Sequence, residues 1–367
     1  MHIYKGLLPL AYVYGLILRF RNWLYDKSLL RVYHWQGPLI CVGNLTVGGT
    51  GKTPMTEYLV RLLQEEWSTA ILSRGFRRST HGFIKATPSM TAREIGDEPW
   101  QMKHKFSKVD VYVDANRHEA LTHIFSKDNL QPPQVLLLDD AFQHRKISIG
   151  MNILLTDYHR LIYKDHMLPA GSLREPFSGR KRAQIVVVTK CPASLAEDAR
   201  QEIIRKLKLR PEQKVFFSTI CYHELTPVFP EMSLPTIPLS ELQQYSTIVL
   251  ISGIARPEPL QDELKRHCPN LLSLTYPDHH PFSASDINHI NQTCAKLAPD
   301  SFLVVTTEKD AARLYINKEL SEDVKPRLYA ISITTQFLGH QQTDFNNIIT
   351  TYVRENQANI GLAHPAH

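Results

Sequence analysis

Cysteine is scarce in this 367-residue chain. The five thiols, Cys41, Cys191, Cys221, Cys268 and Cys294, are scattered and form no C-x-x-C pair. That excludes a disulfide framework or a cysteine zinc site as the organising feature and fits a reducing compartment. Long apolar runs are missing too. The N-terminal run Leu7–Leu18 is broken by Pro9 and Gly15, and it falls short of the ~20 residues that cross a bilayer. A secretory signal is disfavoured, because Arg19 and Arg21 follow the apolar run and no small-residue cleavage site comes after it. No internal repeat or low-complexity tract is visible. Neither sign of charge dominates: 42 Lys and Arg stand against 36 Asp and Glu, a net +6. This modest basic bias suits phosphate-bearing partners. Arg74, Arg77, Arg78, Lys103, Lys105 and Lys108 come without a nucleic-acid-binding module, so no nucleic-acid partner is expected.

What is present is an apolar fraction of 43%, enough for the cores of about two domains. Residues 43–54 read Gly-Asn-Leu-Thr-Val-Gly-Gly-Thr-Gly-Lys-Thr-Pro. They follow the apolar segment Leu39–Val42 and precede helical spacing from Met55 to Leu63. Strand, glycine-rich turn, Lys-Thr and helix is the layout of a phosphate-binding loop. The alternative is an ordinary glycine-rich turn with a surface lysine. Gly48, Gly49 and Gly51 let the backbone turn successive N–H groups toward phosphate oxygens. The helix N-terminus adds its partial positive charge. Lys52 is expected at the β- and γ-phosphates and Thr53 at Mg²⁺. Thr46, Val47 and Thr50 complete the expected nucleotide-binding set. Thr46 stands where the first glycine of the motif is usual.

Beyond the loop, short apolar runs alternate with helical spacing: Ala70–Leu72, Val109–Val113, Val135–Leu138, Ile153–Thr156 and Ile185–Val188, with Arg117–Phe125 among the helices. This predicts a mostly parallel α/β sheet covered on both faces, a P-loop NTPase-like arrangement. Thr247–Ser252 and Phe302–Thr306 predict a second, smaller α/β unit beyond the proline-rich connection Pro227–Pro238. The expected organisation is an N-terminal helix region over 1–30, a P-loop domain over 31–220, a second domain over 221–345 and a C-terminal segment over 346–367. For the N-terminal helix two placements remain open, at a lipid interface or in the protein core.

Asp139 and Asp140 end the predicted strand Val135–Leu138. In doubly wound sheets ligands bind at that end of the strands, and a P-loop enzyme needs an acidic group there for Mg²⁺. Which of the two touches the metal is left open; a turn or cap role is the alternative. ATP is favoured over GTP, because Val188-Thr189-Lys190-Cys191-Pro192 has proline where a guanine-reading segment needs aspartate.

Six further segments occur in order: Ser73-Arg74-Gly75-Phe76, Gly96-Asp97-Glu98-Pro99, Asp139-Asp140-Ala141-Phe142-Gln143-His144, Leu168–Pro176, Tyr276-Pro277-Asp278-His279-His280 and Thr307–Asp310. With Val-Gly-Asn-x-Thr before the glycines, the chain resembles the tetraacyldisaccharide 4′-kinase family, the lipid A 4′-kinases of Gram-negative bacteria, up to about residue 315. The resemblance implies transfer of the ATP γ-phosphate to the 4′-hydroxyl of an acylated disaccharide 1-phosphate lipid, forming lipid IVA. It implies a monotopic enzyme at the cytoplasmic face of the inner membrane, with no obligate protein partner evident. The N-terminal segment would dock there, with Leu7, Leu8, Leu16, Ile17 and Leu18 in lipid. Asp97 and His279 are implied as a catalytic pair beside Lys52; helix capping is the other reading of Asp97. Arg74, His144, Arg174 and Glu175 are candidates for substrate contacts. Ala141 stands where the family usually has glycine, and Ser172 where it has proline. The rival reading is a membrane-associated P-loop ATPase acting as a switch or partitioning protein.

Overall fold

Every residue of the strand Leu39–Asn44 is buried. Apolar side chains on both faces of a strand demand cover on both faces, the condition met in parallel α/β sheets. The computed structural model describes residues 4–35, 37–126, 129–278, 280–299 and 301–360, with side chains to residue 357. The first half runs α1 (Leu8–Asp26), β1 (Tyr33–His34), β2 (Leu39–Asn44), α2 (Lys52–Leu63), β3 (Thr69–Ser73), β4 (Ile84–Lys85), α3 (Ala92–Ile95), α4 (Asp97–Lys105), β5 (Asp110–Val113), α5 (Arg117–Ile124), β6 (Val135–Asp139), β7 (Ile147–Ser148), β8 (Met151–Asp157), β9 (Ile185–Thr189) and α6 (Glu197–Leu207). Then come β10 (Lys214–Pro227), β11 (Thr247–Ser252), α7 (Glu258–His267), β12 (Leu271–Thr275), α8 (Ala284–Cys294), β13 (Phe302–Thr307), α9 (Glu308–Tyr315), β14 (Leu328–Phe337) and α10 (Gln341–Ile360).

Twelve strands form one sheet in the order β12-β11-β13-β14-β10-β9-β8-β2-β6-β3-β5-β4. Only the β10–β14 and β4–β5 pairings are antiparallel. Alternate residues of β2 serve opposite faces. Ile40 and Val42 pack with Met55 and Leu59, whereas Leu39 and Cys41 pack with Leu121 and Leu138. The strand that carries the glycine-rich loop lies between β8 and β6. Its loop therefore opens into the crevice outside the C-terminal strand ends, where such sheets bind ligands.

β10 joins the two halves. Lys214–Phe217 pairs with β9, and Ser218–Pro227 pairs with β14. Residue 220 thus lies inside a continuous strand. Residues 345 and 346 lie inside α10, whose Phe345, Ile349 and Val353 return to pack with Ile40, Met55 and Leu59.

A buried charge cluster also crosses between the halves. Glu57 of α2, 1% exposed, accepts from Gln101 at 2.8 Å and pairs with Lys105 at 2.7 Å and Arg61 at 3.2 Å. Lys105 reaches Glu308 of α9 at 2.5 Å. Burial, then the Glu57 charge, pushes the Glu308 carboxyl up to about 7 despite Lys105. A carboxyl raised above its ordinary 4.5 favours the folded state at low pH, and that contribution is lost as pH rises through the raised value. Glu308→Gln is therefore expected to raise the melting temperature relative to wild type at pH 8 and to change it little at pH 5. Thermal melts across that range check this; a gain confined to pH 5 would contradict the assignment.

Candidate active site

The glycine-rich loop leaves β2 and ends in α2. Gly48 and Gly51 take left-handed backbone, φ +93° and +85°, where a side chain is strained. Thr46 is not among the positive-φ residues. It is buried in extended contact with Leu173, and Val47 N–H donates to the Ser172 carbonyl at 2.8 Å. The usual first glycine is dispensable here because this part of the loop forms a short ladder with the 172–174 segment.

Asp140 lies at the centre of the charges. Its carboxylate accepts two hydrogen bonds from Arg174, at 2.6 and 3.1 Å, and lies 3.8 Å from the Lys52 ammonium. Burial alone would raise this carboxyl; Lys52 and Arg174 outweigh it and hold it at about 2. Asp140 takes φ +50°, which turns its side chain out of the strand direction. Asp139, 1% exposed, accepts from the Ser73 hydroxyl at 3.2 Å through Oδ2, while its Oδ1 is buried without a hydrogen-bond partner. Burial, then the Glu98 charge, pushes Asp139 up to about 7.

Asp97 stands at the first position of α4 with Gly96 at the cap, so it does not cap the helix. A Cβ at Gly96 would meet the Gly75 Cα at 3.2 Å, so the missing side chain lets the start of α4 seat closely against the 73–76 turn. The Asp97 carboxylate pairs with Arg313 of α9 at 3.3 Å. Arg313 also donates to the His280 carbonyl at 2.7 Å and to Asp310 at 2.6 Å. His279 lies outside the described residues. Arg74 is exposed. His144 is driven down to about 4, first by burial and then by Arg117 and Arg74. Glu175, 1% exposed, is held by Arg182 and by Asn22 of α1.

Four participants escaped the sequence reading. Asn44 donates to Thr50 Oγ1 at 2.8 Å and accepts from Arg174; it was quoted only as part of a motif. Lys190 bonds the Gly49 carbonyl and Asp157, where the segment was weighed only as a guanine reader. Arg313 had no sequence signal. Glu98 had one, its place beside Asp97. A cleft of about 740 Å³ runs from Gly51 and Lys52 past Gln101 and Lys190 to Ile220 and Glu308, lined by both halves.

Comparison with known proteins places this geometry. The family described as LpxK, tetraacyldisaccharide-1-P 4′-kinase, matches residues 3–354. The chain belongs to this family. It is 46% identical to the tetraacyldisaccharide 4′-kinase of Bacteroides thetaiotaomicron over 97% of this chain and 95% of that one. It is 44% identical to that of Flavobacterium johnsoniae over 96% and 98%. Its structure resembles LpxK from Aquifex aeolicus, solved in complex with ATP, with a TM-score of 0.71, 26% identity, and 95% of this chain and 99% of that one covered. The expected fold and the expected kinase class both hold. Neither departure from the family pattern strains the backbone. Ala141 does not need positive φ, because Asp140 takes it. Ser172 uses the N–H that proline lacks, donating to Asp165 at 3.1 Å.

Lys52→Ala is expected to abolish phosphoryl transfer in a folded protein, because Lys52 is the cation placed to meet charge on the phosphates. Near-normal turnover at saturating ATP would remove the site. Asp139→Asn and Asp140→Asn should each shift the Mg²⁺ dependence of the rate; unchanged titrations in both would remove the metal assignment.

Proposed function

We propose that this kinase transfers the γ-phosphate of ATP to the 4′-hydroxyl of a tetraacylated disaccharide 1-phosphate, forming lipid IVA, at the cytoplasmic face of the inner membrane. The observation that carries the reading is the Lys52–Asp140–Arg174 arrangement at a phosphate loop, with the Asp97–Arg313 pair bridging α4 and α9 nearby. Mg²⁺ takes one or two carboxylates and completes its shell with water and substrate phosphates. The orphaned buried Oδ1 of Asp139 fits such a cation. Thr53, Asp139 and Asp140 would hold it, and its charge would offset that of the phosphate oxygens.

The loop N–H groups and Lys52 bind the phosphates and meet the charge that develops on them. Arg174 forks onto Asp140 and is placed to hold a further phosphate oxygen. Asp97 orients the acceptor hydroxyl and takes its proton. Arg313 supports a partnership between Asp97 and His279, because it holds both the Asp97 carboxylate and the carbonyl of the next residue, His280. Arg74 and His144, close enough for the Arg74 charge to lower the His144 imidazole, would meet the acceptor. A nucleotide switch would need no acceptor-side carboxylate. Asp97→Asn should lower kcat by roughly 10²–10⁴, the usual worth of a positioned base, with little change in ATP affinity. Loss of stability at unchanged specific rate would count against it.

The membrane contact rests on α1. No described helix is long and apolar enough to cross a membrane. Leu10, Val13, Ile17 and Phe20 are exposed along one side of α1, with Leu16 and Trp23 beside them, whereas Ala11, Gly15 and Leu18 are buried. The expectation that Leu18 enters lipid is corrected: it belongs to the face that packs on the protein, where a Cβ at Gly15 would meet Met167 at 3.5 Å. The two placements considered from sequence are thus the two faces of one helix. Each outward apolar side chain contributes roughly 1.5–3 kcal/mol on full burial, and Arg19 would reach anionic headgroups. Replacing Leu10, Val13 and Ile17 by serine is expected to abolish liposome flotation and raise KM for the lipid acceptor more than for ATP. Equal flotation would place the membrane contact elsewhere.

A further inference from the structure

The inward face of α1 carries more than apolar packing. Asn22 donates from Nδ2 to Glu175 Oε1 at 2.8 Å. Glu175 is a buried carboxylate, and Arg182 supplies its remaining hydrogen bonds while donating to the Phe142 carbonyl at 3.1 Å. A Cβ at Gly179 would come within 3.0 Å of Glu175 Oε1, so the glycine leaves the carboxylate its place beside Asn22 and Arg182. Arg174, the residue before Glu175, forks onto Asp140 and reaches Asn44. Tyr14 bonds the Arg174 carbonyl at 3.5 Å.

The same helix fastens the other side of Asp140. Arg21 donates to the Gln143 carbonyl at 3.5 Å, and Gln143 donates to the Asn44 carbonyl at 2.7 Å. Arg145 donates to the Asn22 carbonyl at 2.7 Å and pairs with Asp26 at 2.7 Å. Tyr14, Arg21 and Asn22 follow helical spacing along the side of Ala11, Gly15 and Leu18. One face of α1 is therefore apolar and outward, and the other is tied to both segments that flank Asp140.

We infer that Asn22 is a positioning residue for phosphoryl transfer: from α1 it fixes the Glu175–Arg182 pair, and through it the Arg174 guanidinium that clamps Asp140. The inference rests on the assignment of Asp140 and Arg174 to the phosphate and metal end of the site. Without Asn22, Glu175 Oε1 keeps only its bond from Arg182, so the carboxylate is drawn toward Arg182 alone and the adjoining Arg174 moves with it. The helix that contacts lipid thereby also sets the geometry of the clamp.

The test is steady-state kinetics of the full-length protein on vesicle-borne acceptor, with Mg²⁺ titration and liposome flotation alongside. Asn22→Ala is expected to lower kcat about tenfold, the order expected for one lost hydrogen bond to a charged group, and to raise the Mg²⁺ concentration at half-maximal rate. Flotation and the KM for lipid should stay at wild-type values. Asn22→Asp places a second carboxylate against Glu175. Its rate relative to wild type should recover as pH falls and the pair shares a proton, a shift in pH profile that a role in stability alone does not produce. Wild-type kcat and Mg²⁺ dependence in Asn22→Ala, or a loss confined to flotation or melting temperature, would overturn the inference. If Asn22→Ala fails to fold, Asn22→Leu, which keeps the volume and removes the donor, decides by the same measurements: a shifted Mg²⁺ dependence supports positioning and a wild-type one overturns it. Failure of the underlying site is seen separately, as Asp140→Asn and Arg174→Lys with unchanged Mg²⁺ dependence.

Discussion

The carboxylate of Asp140, shared between the Lys52 ammonium and the Arg174 guanidinium, is the interaction from which the rest of the site is laid out. It unites three distant stretches of chain: the phosphate loop, the end of the strand Val135–Asp139 and the loop through residues 168–176. Two cations close together repel unless an anion lies between them. With Asp140 between them, Lys52 and Arg174 stand ready at one end of the cleft. Asp139 is relieved less: Lys52 and Arg117 lower its carboxyl, yet burial and the Glu98 charge outweigh them, and one oxygen is unpartnered. The balance in the neighbouring carboxylates thus falls opposite ways, to protein cations at Asp140 and to burial at Asp139. That asymmetry is the physical basis for assigning the cation end of the site to Asp139 as much as to Asp140.

The fold was legible because its strands announce themselves. Leu39–Val42, Val135–Leu138 and Ile185–Val188 are apolar throughout, which only strands covered on both faces tolerate. The phosphate loop was legible because its chemistry fixes its residue types. Other features depend on the partner, which sequence spacing does not reveal. Asp97 next to Glu98-Pro99 reads equally well as a cap or as a functional carboxylate; only the position of Gly96 and the reach of Arg313 separate the two. Arg313 itself sits in a helix with nothing local to mark it. Asn44 and Lys190 were read as motif letters, yet both hold the phosphate loop in shape. The N-terminal helix was ambiguous for a physical reason: with one apolar face toward protein and another outward, it satisfies both descriptions.

Continuity of the sheet bears on how the two halves cooperate. The strand Lys214–Pro227 belongs to both, so they do not separate without breaking a ladder. The Glu57–Lys105–Glu308 cluster and the Asp97–Arg313 pair add charged contacts between the same halves. Motion that admits a lipid headgroup must therefore be a change of twist or a local exchange of partners rather than wide opening. Arg313 is suited to such an exchange, since Asp310 keeps it paired at 2.6 Å when Asp97 turns to an acceptor hydroxyl. The carboxylate is then released at small cost, because no buried cation is left alone.

The same reasoning explains why the outward face of the N-terminal helix and the clamp share one element. At the proposed membrane face an acylated acceptor would be held by its acyl chains at a fixed depth, so its hydroxyl would arrive at a height set by the bilayer. Phosphoryl transfer needs that hydroxyl in line with the phosphate to within a fraction of an ångström. An anchor joined to the site by a flexible tether would leave the height undefined. Here the helix's inner face bonds directly to Glu175, the Arg174 carbonyl and the Gln143 carbonyl. With α1 at the membrane as proposed, depth in the bilayer and position of the phosphate-binding groups would be measured from the same helix.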